Sequence, residues 1–323
     1  MSKRIMWRIV VAALLWGAPG LAVAQGDYPS RTIKIIVPLV PGGAADVVPR
    51  IIAEKLTVRF GHPVVIENRP GANGNIGAEA VAKAEPDGYT LLATVPGPLV
   101  INQSLYPKLG FEPRAFVPVT VTAALQNLLL VHPKAPYSTL QELVAFAKAN
   151  PGKLTYGSPG VGSSPHLATE WIKYLAGIRI THVPYNGIPP AIQDVVAGHV
   201  DITFANTFTV LSLVKEGRLR ALGVDSADRI AELPDLPTIA ETFPGYVVTS
   251  WFAIVAPPKT SREIASKLST AIAEVLKEPD VAKKLRDLSA TPIGTSPLDS
   301  AAFIQRESER WHQIVVSAGL NTN

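Results

Sequence analysis

From Thr32 onward, short apolar runs alternate with longer amphipathic stretches, and this alternation constrains the fold more than any other feature of the chain. Runs of four or five apolar residues suit buried strands, and stretches with helical spacing must lie across the sheet those strands build, which makes an α/β protein. Strands are expected at Ile33–Val37, Val64–Ile66, Thr90–Ala93, Leu128–Val131, Leu154–Tyr156, Ile180–Val183, Ile202–Phe204, Arg220–Val224 and Val247–Val255. Helices are expected at Asp46–Phe60, Asn75–Ala84, Thr139–Ala149, Pro165–Ala176, Pro189–Ala197, Thr207–Glu216, Ser261–Leu276, Pro279–Leu288 and Pro297–Ala318.

A chain of 323 residues can bury more than one core. The run of helices after Ser261 is expected to pack on a sheet already built and to add no strand to it. The chain then crosses to a second lobe near Gln126–Val131 and returns near Val247–Val255, giving one lobe from 25–127 plus 248–323 and another from 128–247. Two crossings form the two-strand hinge of a clamp that closes on a ligand. No internal repeat or low-complexity linker interrupts this plan.

Residues 1–24 read as a secretory signal peptide: a short basic start with Lys3, Arg4 and Arg8, an apolar run from Ile9 to Trp16, helix breakers at Gly17, Pro19 and Gly20, then Ala22-Val23-Ala24 before Gln25. A membrane anchor needs about 20 consecutive apolar residues, which this segment lacks. A soluble periplasmic product is therefore expected. Without that segment the 30 basic residues fall to 27 against 26 acidic ones, so no basic stripe remains to follow a phosphate backbone and no nucleic-acid partner is expected. The absence of Cys excludes disulfide scaffolds, thiolate metal sites and Cys nucleophiles.

Two glycine-rich turns join a strand to a helix. In the first, Pro41-Gly42-Gly43-Ala44 precedes Asp46, read as the helix N-cap with its carboxylate on the Val48 amide. In the second, Ser158, Gly160, Gly162, Ser163, Ser164 and His166 follow a strand, with Ser164 and Pro165 read as N-cap and first helical residue. Glycines let backbone approach a ligand, and helix N-termini present unpaired N–H groups to an anion. No Lys follows the glycines and the spacing is not G-x-G-x-x-G, so nucleoside phosphates lose support and a carboxylate fits. Tyr185 and Gly187 after a strand, Asp201 and Asn206 around another, and Thr94 closing an earlier one are candidates by their common placement beyond strand carboxyl ends.

Catalytic patterns mostly fail. Gly162-x-Ser164-x-His166 lacks the final Gly of a nucleophile elbow, no His pair stands at i, i+4, and no H-E-x-x-H occurs. No cofactor and no metal are expected, and the chain reads as a monomeric binder.

The chain resembles the Bug or TctC family of solute-binding proteins. The resemblance rests on Tyr28-Pro29, Ile35-Ile36-Val37-Pro38, Pro41-Gly42-Gly43 with Asp46, Glu67-Asn68-Arg69-Pro70-Gly71-Ala72, Gly74-Asn75-Ile76-Gly77 and Pro86-Asp87-Gly88-Tyr89-Thr90-Leu91. It continues through Tyr156-Gly157-Ser158, Val183-Pro184-Tyr185, Gly198-His199-Val200-Asp201, Leu219-Arg220-Ala221-Leu222, Leu236-Pro237-Thr238 and Trp251-Phe252. It implies a two-lobed Venus-flytrap fold with two doubly wound sheets, a small carboxylate ligand (a di- or tricarboxylate, an amino acid or an aromatic acid), and membrane subunits of a tripartite tricarboxylate-type transporter as partners. A sensory binding protein, or an exported hydrolase using Ser163 or Ser164, are the alternatives at this point.

Overall fold

In Ile33–Val37 (β1) every residue but Lys34 is buried, as a strand covered on both faces requires. A computed structural model describes residues 28–320; the expected signal peptide lies outside the described residues. After β1 come helix α1 (Ala44–Phe60), β2 (Val64–Asn68), α2 (Asn75–Ala82) and β3 (Thr90–Thr94). A π-helical turn, Gly97–Ile101, leads into α3 (Asn102–Leu105) and then β4 (Val117–Leu125). The second half of the order is β5 (Asn127–Val131), α4 (Leu140–Ala149), β6 (Thr155–Ser158), α5 (Ser164–Ala176), β7 (Thr181–Pro184), α6 (Ile188–Ala197), β8 (Ile202–Asn206), α7 (Thr207–Lys215) and β9 (Arg220–Val224). Finally come β10 (Ser250–Ala256), α8 (Arg262–Lys277), α9 (Pro279–Asp287), β11 (Ala290–Pro292) and α10 (Pro297–Ser317).

The strands form two sheets, ordered β11-β4-β10-β3-β1-β2 and β7-β6-β8-β5-β9. In the first, β1 runs parallel to β2 and β3, while β10 is antiparallel to β3 and β4. In the second, β6 runs parallel to β7 and β8, while β5 is antiparallel to β8 and β9. Parallel neighbours align their carboxyl ends, so the loops after β1, β2 and β3 share one edge, and those after β6, β7 and β8 share another. The chain passes between sheets at Gln126 and returns between Val224 and Ser250.

Two expectations are corrected. The C-terminal helices do not leave the first sheet untouched: after α9 the chain reverses at Ser289, whose φ is 48°, and Ala290–Pro292 pairs with Ala123–Leu125 as an edge strand. β4 was not foreseen either, although it lies inside the sheet between β11 and β10.

Along β5, alternate side chains serve opposite faces. Leu128 and Leu130 join a cluster with Ile192, Val195 and Val210, whereas Leu129 and Val131 join a larger one with Tyr156, Leu167 and Phe204. The larger cluster continues through Ile36, Leu92, Trp251 and Trp311 of the first sheet and its covering helix. Helix α10 contacts both β4 and α5. Both Trp251 Nε1 and Trp311 Nε1 donate to the buried Glu307 carboxylate, at 2.8 and 3.2 Å, so these polar groups are satisfied within the core.

Candidate functional site

The first glycine-rich loop leaves β1 at Val37 and enters α1 at Ala44. Gly42 has φ 94°, a conformation that favours glycine, and Pro41, Gly42 and Gly43 are exposed. No heavy atom lies within 4 Å of where a Cβ on Gly42 or Gly43 would stand, so this stretch faces open space. Gly43, extended at φ −82° and ψ 166°, caps α1 without a side-chain bond.

Asp46 is therefore not the N-cap. It is the third helical residue, and its carboxylate turns back to accept the Gly42 N–H at 3.0 Å, as an acidic residue at that position can. The same carboxylate takes Arg50 Nε at 3.0 Å and Asn68 Nδ2 at 2.9 Å, and Asn68 Nδ2 also donates to the Leu39 carbonyl at 3.0 Å. Burial pushes the Asp46 carboxyl up, but donors from Arg50, Gly42 and Asn68 outweigh it and hold the group below its ordinary value. Asp46 thus braces the loop from behind. Among the described residues, the amides of Gly43, Ala44 and Ala45 have no acceptor.

The second loop joins β6 to α5. Its N-cap is Ser163, one residue before the expected Ser164: Ser163 Oγ accepts the His166 N–H at 3.4 Å and donates to Gly160 O at 2.7 Å. Pro165 then falls at the second helical position, where its missing N–H is harmless. Ser158 is fully buried, and its Oγ accepts the Gly160 N–H at 3.2 Å and meets His182 Nε2 at 2.7 Å. The buried His166 accepts the Gly162 N–H on Nδ1 at 3.3 Å. Ser158 and His166, expected to face a ligand, are committed to the loop itself.

Behind this loop the His166 and His182 rings lie 4.3 Å apart between centroids, and His182 stacks on Tyr156 at 4.7 Å. Tyr156 donates its hydroxyl to Glu170, which also pairs with Lys173. Burial, then His182 and Lys173, push His166 down to about 3, so its ring is neutral with its proton on Nε2. Burial also lowers His182, aided by Lys173 and opposed by Glu170.

The second loop meets the turn between β2 and α2 through Asn73, which the sequence does not single out. Asn73 sits at φ 52°, ψ 38°; its Nδ2 donates to Asn102 Oδ1 at 2.8 Å and reaches Gly162 O at 3.4 Å. The fully buried Asn102 returns a bond to Asn73 O at 3.0 Å and bonds Asn75 Oδ1 at 2.6 Å. A Cβ on Gly162, whose φ is 80°, would stand 2.4 Å from Leu105 Cδ1. The available signal was Asn73-Gly74-Asn75, a turn composition that tolerates left-handed backbone.

Asp201 is a correction: it precedes β8 and so lies at the amino end of the strands, where its carboxylate takes the Thr155 N–H at 2.8 Å and Thr155 Oγ1 at 2.9 Å. Thr94 does close β3, buried, with its Oγ1 on Val95 O at 3.3 Å. Asn206 ends β8 and donates to Asn127 Oδ1 at 2.6 Å, beside the buried Asp225, which accepts the Asn127 N–H at 2.8 Å. Burial pushes Asp225 up to about 8 against the opposing Asn127 donors. Tyr185 places its ring over Gly157 and its hydroxyl on Asp194 at 2.6 Å. Gly187 caps α6, but Pro189 and Pro190 remove two N–H groups from that helix's first turn and leave it a poor anion site.

A cavity of about 600 Å³ opens beside β9, lined by Leu219, Arg220, Glu232 and Leu236 among others, and none of the candidate residues lines it. Among the described residues no group of three His, Asp or Glu is placed to hold a metal ion, and no helix is long and apolar enough to cross a membrane.

The profile described as "tripartite tricarboxylate transporter family receptor" matches residues 48–320. Among solved structures, Rpa4515 of R. palustris with adipate is 39% identical with a TM-score of 0.83, covering 91% of this chain and 99% of that one. MatC from Rhodopseudomonas palustris with bound malate is 32% identical, TM-score 0.80, over 89% of this chain and all of that one, 100%. The periplasmic binding protein BugD is 30% identical, TM-score 0.80, over 91% and 99%.

Proposed function

Because the chain belongs to the family of tripartite tricarboxylate transporter receptors, the Bug or TctC solute-binding proteins, we propose that it captures a small carboxylate between its two glycine-rich loops and delivers it to the membrane subunits of such a transporter. The observation that carries this reading is the set of amides without acceptors: Gly43, Ala44 and Ala45 on the first loop, Val161 and Ser164 on the second. Donors fixed at two helix N-termini suit an anion, and neither loop contains a Lys or Arg to form an ion pair with it. The adipate held by Rpa4515 and the malate held by MatC fit the same chemistry.

Capture closes residues 25–127 with 248–323 against 128–247 about the crossings at Gln126 and between Val224 and Ser250. The protein acts as a monomer, exported by its signal peptide to the periplasm. It turns nothing over. The Ser163 hydroxyl is taken by Gly160 O, and His166, the base nearest to Ser164 in sequence, spends its free nitrogen on the Gly162 amide.

Calorimetric titration with adipate, malate, succinate and citrate, combined with small-angle scattering, tests this. Saturable binding of at least one of them, compaction on binding and recovery of the ligand unchanged are expected. Consumption of the ligand, or no binding across that set, refutes it.

A further inference from the structure

The amides of the second loop divide sharply. Pro159 and Pro165 have no N–H; Gly160 gives its own to Ser158 Oγ, Gly162 to His166 Nδ1, and Ser163 to Gly160 O at 3.3 Å. Val161 and Ser164 remain, and Val161 is 58% exposed while Gly162 is buried. Beneath the loop, two imidazoles each meet one of its polar groups: His166 the Gly162 amide and His182 the Ser158 hydroxyl.

We propose that His166 and His182 are positioning residues for the carboxylate site: by drawing the Gly162 amide and the Ser158 hydroxyl inward, they turn the Val161 and Ser164 amides outward as the loop's ligand donors. The proposal rests on the carboxylate reading above. Gly162 N–H lies against Nδ1 of His166, so that nitrogen must be an acceptor and the ring must be neutral. With the His182 proton on Nδ1, Nε2 at 2.7 Å is a closer acceptor for the Ser158 hydroxyl hydrogen than Gly160 O at 3.2 Å, leaving Ser158 Oγ free to accept the Gly160 amide. With the two rings 4.3 Å apart, both acceptors act on one five-residue turn. A hydrophobic ring of similar size at position 166 would leave the Gly162 amide buried and unpaired, and the turn would have to rotate to recover it.

The distinguishing test is rescue by shape and acceptor. Asn places a carbonyl oxygen where Nδ1 of His166 stands, and Gln places one where Nε2 of His182 stands. Titrated with adipate and malate, His166→Phe and His182→Leu are expected to bind about tenfold or more weakly than wild type, with His166→Asn and His182→Gln restoring most of the loss. Circular dichroism melts separate this from unfolding. A second measurement needs no variant: in the wild-type protein at neutral pH, nitrogen shifts of labelled histidine should show His166 Nδ1 as an unprotonated acceptor. Wild-type protein that binds neither carboxylate refutes the receptor reading and this inference with it. Wild-type binding combined with full binding by His166→Phe and His182→Leu, equal loss in the Asn and Gln variants, or a protonated Nδ1 overturns this inference alone.

Discussion

The two glycine-rich loops solve the same problem with opposite chemistry. Each ends a parallel strand, opens a helix, and must hold some peptide groups inward so that others face out. Behind the first stands an ion pair, Asp46 with Arg50 at 2.9 Å, stitched to β2 by Asn68. Behind the second stand neutral imidazoles and hydroxyls stacked on Tyr156. Asp46 can keep its charge because Arg50 is 45% exposed and the pair reaches solvent, whereas His166, 2% exposed, has no such outlet and stays neutral. The chemistry of a brace follows from its depth.

The sharpest contrast is between Gly162 and Gly43. Valine at 162 meets both a left-handed backbone and Leu105 at 2.4 Å, and should cost about 2–4 kcal/mol of stability as well as most of the affinity. Valine at 43, extended and facing open space, should melt like wild type and lose affinity alone. Calorimetry paired with thermal melts reads both; a stable, fully binding Gly162→Val would erase the distinction between a packed loop and an open one.

Asp46→Ala should come next, at about 2 kcal/mol in urea unfolding, because it strands the Gly42 amide and two side-chain donors at a partly solvated site. The effect of acid should be smaller and should divide the loops. The folded value of His166, about 3, lies below its unfolded value near 6.5, so the unfolded chain binds the extra proton and stability falls as pH drops through that interval. Asp46 is displaced downward from 3.8, so its contribution is intact above that value and is lost only in stronger acid. Asp225, raised to about 8, acts in the other sense: its contribution is full below 3.8 and fades as pH rises through 8. Urea midpoints of wild type and His166→Asn at about pH 7.5 and 5.5 should therefore show the larger acid loss in wild type; equal losses would remove His166 from the account. Lys55→Ala is the smallest: Lys55 pairs with Glu278 and Asp280 at the start of α9, so titration should find the affinity of wild type.

Much of this fold was legible because the strands that carry the loops are short apolar runs, each followed by glycine or a cap. β4 escaped because Pro118 interrupts it and its Thr and Ala residues look only moderately apolar, yet six of its nine positions are buried between two antiparallel neighbours. The loops themselves could be read, but the allocation of their amides could not. Asn68 reaches the first loop from another strand, and His182 reaches the second from β7. At a helix start the sequence points to Asp46 as the N-cap over the Val48 amide and to His166 as a ligand residue; each instead turns back on the peptide four residues earlier. Asp201 was legible as a misfit: it precedes Ile202 in the sequence, so it lies at the amino end of β8 and not at the carboxyl end where Asn206 stands.

The lack of an unpaired cation in either loop has a consequence for the medium in which such a receptor works. Charges facing one another across water are screened over a Debye length of about 8 Å at physiological ionic strength, and ion-pair recognition weakens as salt rises. Oriented amides at van der Waals range carry no net charge to screen, and the Asp46–Arg50 pair sums to zero. On the proposed reading, grip is nearly independent of ionic strength, and the loops draw no anion in from a distance. Such a receptor selects among carboxylates by where their oxygens fall rather than by how many charges they bear.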